Sequence, residues 1–182
     1  MSPLAGVALA IFAVAALIVL LVRRLRPRGA AAGEVVRGLR LRILQEDWQT
    51  LDASAAPNQP LVAMMELGYP TATATIFGTS QGEASLYIST GGGVLGGGGH
   101  ENVRAAAKAF VRQSAAHLPH LTATSELPYP ENGHVRFYVR TPKQVYTAER
   151  ADAELASGRD PLSPLFMAGH NLIAQLRTVT PQ

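Results

Sequence analysis

From Pro3 to Val22 the chain carries no charged or strongly polar residue, a stretch of 20 that after the proline holds only Leu, Ile, Val, Ala, Phe and Gly. As a helix it would extend about 30 Å, the thickness of a bilayer's hydrocarbon core. It therefore predicts a membrane-spanning anchor over residues 1–22, in contact with the lipid bilayer through residues 3–22. No Lys or Arg precedes the run, whereas Arg23, Arg24, Arg26 and Arg28 follow it. That asymmetry predicts a single-pass protein of a bacterial inner membrane, with the N-terminus outside and the C-terminal domain cytoplasmic. The small residues Ala30-Ala31-Ala32 offer an A-x-A-like cleavage site, but a signal peptide has its charge before a shorter apolar core.

After a basic linker over residues 23–33, punctuated by Pro27, Gly29 and Gly33, apolar residues become periodic and predict one soluble domain over 34–182. Val36, Leu39, Ile43, Leu44, Trp48 and Leu51 recur at helical spacing, with Arg37, Arg40, Glu46 and Asp47 on other faces, so Glu34 to Leu51 reads as an amphipathic helix. Leu39, Leu41 and Ile43 also alternate with arginines, which leaves a strand start open. The apolar face of such a helix has two homes, its own domain or a layer of lipid headgroups.

Leu61 to Leu67, Thr71 to Phe77 and Glu83 to Ser89 are rich in apolar, β-branched and aromatic residues and are separated by Gly68-Tyr69-Pro70 and by Gly78 to Gly82. They predict three strands joined by tight turns, hence antiparallel neighbours. A glycine-rich turn, Gly91 to Gly99, leads to a helix from His100 to His117 with Val103, Ala106, Ala107, Phe110 and Val111 on one face, ended by Pro119. Thr122 to Gly133 reads as a polar, Pro-rich loop. His134 to Thr141 and Lys143 to Thr147 form a further strand pair, Glu149 to Ser157 a short helix, and Ser163-Pro164 the cap of a last amphipathic helix. This order predicts an α+β domain with an antiparallel sheet of about five strands covered by helices, similar in order to profilin-like or roadblock-like folds.

Of the sixteen Lys and Arg residues, four are the arginines after the apolar run, so the domain holds twelve against thirteen acidic residues, a net charge of −1. A nucleic-acid footprint needs a basic face on the folded part, and none is written here. With no cysteine, disulfides, thiolate metal sites and cysteine nucleophiles are excluded.

Met65-Glu66-Leu67-Gly68-Tyr69-Pro70, Ser85-Leu86-Tyr87, Gly91 to Gly99 and His100-Glu101-Asn102-Val103-Arg104 resemble segments of an uncharacterised bacterial protein family. The resemblance covers less than a third of the chain and, because that family has no known activity, implies no catalytic residue and no cofactor.

Among candidate sites, the turn before the helix stands out. Gly96, Gly97, Gly98 and Gly99 would bring bare backbone to a ligand, and the helix start at His100, with Arg104 one turn on, would offer N–H groups and positive charge to a small anion or nucleotide. The turn lacks the Lys and hydroxyl of a P-loop, no acidic residue stands at the end of a following parallel strand, and the downstream strand pair reads as antiparallel, contrary to a dinucleotide-binding fold. Its other reading is a tightly turning connection. His117 and His120 flank a proline and are two ligands where zinc needs three or four. Ser80, Ser85 and Ser89 lack a nucleophile-elbow context. No metal and no cofactor is expected. The leading expectation is a non-enzymatic interaction domain with a protein partner or self-association, and the alternative is the anion or nucleotide site.

Overall fold

The computed structural model describes residues 30–45 and 54–179. Four helices, α1 (Ala30–Gln45), α2 (Glu101–His117), α3 (Asp152–Ala156) and α4 (Ser163–Thr178), accompany seven strands, β1 (Val62–Tyr69), β2 (Ala72–Thr79), β3 (Ala84–Ile88), β4 (Gly93–Val94), β5 (Thr122–Thr124), β6 (His134–Arg140) and β7 (Val145–Ala151). All pairings are antiparallel, in the order β4-β3-β2-β1-β6-β7-β5.

The expected α+β layering with an antiparallel sheet is present, but the sheet has seven strands rather than about five. The two additional strands are short. β4 lies inside the stretch read as a glycine-rich turn, and β5 inside the stretch read as a Pro-rich loop. Neither carries the alternating apolar residues that mark a strand in sequence, because each sits at an edge and pairs on one side only. The analogy with profilin-like or roadblock-like folds rested on an element order that lacked β4 and β5, and falls with the order observed.

No helix among the described residues is long and apolar enough to cross a membrane. That finding goes against the expected single-pass, inner-membrane placement and corrects it. The apolar run from Pro3 to Val22 and the arginines Arg23, Arg24, Arg26 and Arg28 lie outside the described residues.

Each strand sends alternate side chains to opposite faces. On one face, Ala63, Met65 and Leu67 of β1, Ala74 and Ile76 of β2, Leu86 and Ile88 of β3 and Val135, Phe137 and Val139 of β6 meet α2 through Val103, Ala107 and Phe110 and α4 through Leu165, Phe166, Leu172, Ile173 and Leu176. This is the main core, and burying each of its large side chains stabilises the fold by about 1.5–3 kcal/mol. On the other face, Val62, Met64, Phe77, Tyr87 and Tyr138 meet Val36, Ile43 and Leu44 of α1.

α1 begins at Ala30, four residues before its expected start, because Ala30, Ala31 and Ala32 are good helix formers that extend it into the stretch read as linker. Trp48 and Leu51, placed on its apolar face by periodicity, lie outside the described residues. α4 carries a smaller shift: Leu162 rather than Ser163 is its cap residue. Asp160 Oδ1 accepts from the Leu162 N–H at 2.7 Å, and the Ser163 hydroxyl instead donates to the Leu155 carbonyl at 2.8 Å.

Candidate functional site

The glycine-rich segment divides into two parts with different geometry. The first, Gly91 to Leu95, folds back on β3 to form β4, with Leu86 opposite Val94 and Tyr87 opposite Gly93. Gly93 has φ of 146°, and a Cβ there would lie 2.0 Å from the Leu86 carbonyl oxygen, so only glycine lets the two backbones approach this closely. Val94 turns toward the main core, and Leu95, the residue after the strand, is exposed.

The second part, Gly97–Gly99, is a single 3₁₀ turn that delivers the chain to α2. Gly97 and Gly98 are buried. A Cβ on Gly97 would meet Leu176 Cδ2 at 2.3 Å and Val103 Cγ1 at 3.0 Å. A Cβ on Gly98 would meet the Glu83 carboxylate at 2.5–2.7 Å, whereas Gly96 and Gly99 face open space. His100 precedes α2 without a side-chain cap bond and is exposed.

Gly96, Gly97, Gly98, Gly99, His100 and Arg104 are thus near one another, as the sequence proposed, but the chemistry around them is mixed. Arg104 Nη2 donates to the Gly98 carbonyl at 2.9 Å, and its Nε lies 3.8 Å from the exposed Glu101 carboxylate. An anion at this helix start would meet Glu83 beside Gly98 and Glu101 in the first helical turn. Both work against the favourable dipole end.

The opposite face of the sheet holds a polar centre that periodicity did not reveal. Tyr87, Thr75, Glu66, Arg136 and Glu149 lie side by side across β3, β2, β1, β6 and β7. Above them Arg40, placed by sequence among the outward-facing residues of α1, is 2% exposed and points into the sheet. Its Nε and Nη2 donate to the two oxygens of fully buried Glu66 at 2.6 and 2.8 Å. Its remaining donors reach the Leu127 carbonyl at 2.9 Å and the Pro128 carbonyl at 3.1 Å. The Thr75 hydroxyl donates to Glu66 at 2.8 Å, the Tyr138 hydroxyl donates to Pro128, and the Tyr129 ring lies 4.3 Å from the guanidinium. Burial opposes the charge on Arg40, yet the bond to Glu66 and its negative charge outweigh it and raise the guanidinium's pKa. Arg40 joins three layers: α1, the sheet and the loop through Leu127 and Pro128. Two signals for it exist in the sequence. Arg40 stands four residues from both Val36 and Leu44, inside the apolar stripe, and Glu66 shares strand parity with Val62 and Met64.

The histidines are scattered. The His117 and His120 rings are 6.3 Å apart, and His117 Nδ1 is 2.8 Å from the Gln113 carbonyl of its own helix. Among the described residues no three His, Cys, Asp or Glu side chains gather as a metal site would require. His170 is buried in α4 with neither ring nitrogen hydrogen-bonded, its ring set edge-on to Phe166 at 4.3 Å. Burial lowers its pKa to about 4, which keeps the imidazole neutral at pH 7.

The chain matches no protein-family model, no curated protein and no solved structure.

Proposed function

We propose that this domain is a non-enzymatic protein-interaction module that captures an extended segment along the outer edge of β4. The observation that carries the reading is the difference between the two edges of the sheet. At the β5 edge, Thr124 closes a turn with Glu126, donating to its carbonyl and accepting from its N–H, both at 3.0 Å, and Pro119 and Pro128 flank the strand. A tight turn, a charge and prolines are the devices that keep a sheet edge from adding strands. The β4 edge lacks the charge and the prolines: no charged residue and no proline occurs from Ala84 to Gly99.

Instead, among the described residues, this edge offers unpaired backbone beside an apolar side chain. Leu95 is 67% exposed and, with Val35 of α1, is one of the two exposed large hydrophobic residues among those described. Extended partners that add to a sheet edge gain affinity from main-chain hydrogen bonds and specificity from such side chains. The buried acid at Glu66 is committed to Arg40 and Thr75 and serves to hold α1 in place.

Affinity capture with the full chain tests this. Specific partners held by the wild-type chain should be lost with Leu95→Lys, which places a charge on the edge while leaving the core untouched. An identical set of captured partners with the variant would contradict the reading.

A further inference from the structure

The backbone of β4 defines what its outer edge can hold. Ile88 donates to the Gly92 carbonyl at 3.1 Å, and antiparallel pairs alternate between bonded and non-bonded, so Leu86 and Val94 are the next bonded pair. Val94 therefore turns its N–H and C=O toward β3 and Gly93 turns its own away; continued one residue past β4, the same alternation turns those of Leu95 toward the outer edge. Of the same three residues, Leu95 is exposed and Gly93, two positions earlier, has no side chain.

We infer that a second copy of this chain pairs with this edge, β4 against β4 about a two-fold axis, which deepens and rests on the interaction reading above. In that register Gly93 of one copy exchanges two hydrogen bonds with Leu95 of the second, and Leu95 with Gly93, four bonds in all. The two Val94 residues meet on the axis as the close, non-bonded pair. Each Leu95 lies over the bare Gly93 of the other copy, so the segment is complementary to itself. Its charge suits the same occupant: a two-fold axis sets every charge against its own like, and the uncharged stretch from Ala84 to Gly99 avoids that repulsion. Such a short strand covers less than the roughly 1,200 Å² typical of stable interfaces, so the pair forms and separates with concentration.

The absence of cysteine from the chain makes the test direct. In the full chain, Val94→Cys places one thiol on the axis, where non-bonded antiparallel partners about 4.5 Å apart between Cα atoms fall within disulfide range. Mild oxidation should give a covalent dimer, and Lys108→Cys, exposed on α2, should stay monomeric under the same conditions. Adding Leu95→Lys to the Val94→Cys chain should slow cross-linking about tenfold, the effect of losing both Leu95 contacts. Cross-linking of Val94→Cys no faster than that of Lys108→Cys, in chains whose circular dichroism and melting match the wild type, would overturn the inference. If partners captured from cells still depend on Leu95 in that case, the interaction reading stands and only the second copy is excluded. If neither depends on it, both fall.

Discussion

Arg40 Nε lies 2.6 Å from Glu66 Oε1, a fully enclosed ion pair between a helix and the central strand of the sheet. Its consequence for stability depends on which partner is removed. Arg40→Met should destabilise the domain by about 3–5 kcal/mol, because it leaves Glu66 buried without its counter-charge. Arg40→Met combined with Glu66→Leu should recover most of that loss. Urea unfolding midpoints of the three chains check this, and a double variant as unstable as the single one would contradict it.

The same pair shows what the sequence could and could not tell. Amphipathic periodicity located α1, but a rule that places charges outward put Arg40 on the wrong face, even though its spacing from Val36 and Leu44 set it in the apolar stripe. Glu66, between Met65 and Leu67, kept the strand's buried parity, and only tertiary contact showed that the two charges meet across 26 positions of chain. The main sheet was readable because β1, β2 and β3 are rich in apolar, β-branched and aromatic residues between turn residues, and β6 alternates Val135, Phe137 and Val139 with Arg136, Tyr138 and Arg140. β4 and β5 were not, since a short edge strand pairs backbone to backbone and leaves little trace in side-chain type. The glycine tract was visible as unusual, but its division into an open strand edge and a packed turn depends on Leu176, about eighty residues away.

Within that tract the glycines should not be equivalent. Gly97→Val drives its side chain into Leu176 and Val103 and should cost about 1–3 kcal/mol, as overpacking does. Gly99→Ala meets no atom within 4 Å and should change stability by less than about 0.5 kcal/mol. Thermal unfolding of both variants measures the difference.

The glycine-rich turn should be indifferent to anions. Phosphate and nucleotides should leave the melting temperature of the wild-type chain unchanged, because Glu83 and Glu101 flank the helix start and Arg104 is held by Gly98. A ligand at a hundredfold over its Kd would add about 2.7 kcal/mol, well within detection. A rise that disappears in Arg104→Gln would contradict this prediction and favour the anion cradle.

His170 should make the domain acid-sensitive. Its pKa falls from 6.5 to about 4 on folding, so below pH 6.5 the unfolded chain takes up the proton more readily than the folded one. Its contribution to stability is then whole above pH 6.5 and declines by about 3 kcal/mol as the pH falls through 4. His170→Leu should flatten the stability profile between those limits relative to wild type. Parallel profiles for the two chains would show that His170 does not govern this window.

Amide hydrogen exchange reads the outer edge of β4 residue by residue. At low concentration, and without partners, the Gly93 and Leu95 amides should exchange rapidly, since they point away from β3. In the captured complex, or at high concentration of the chain itself, exchange at these two positions should slow while that of the exposed β5 edge stays the same. Unchanged exchange at Gly93 and Leu95, with protection arising on another surface, would contradict the account.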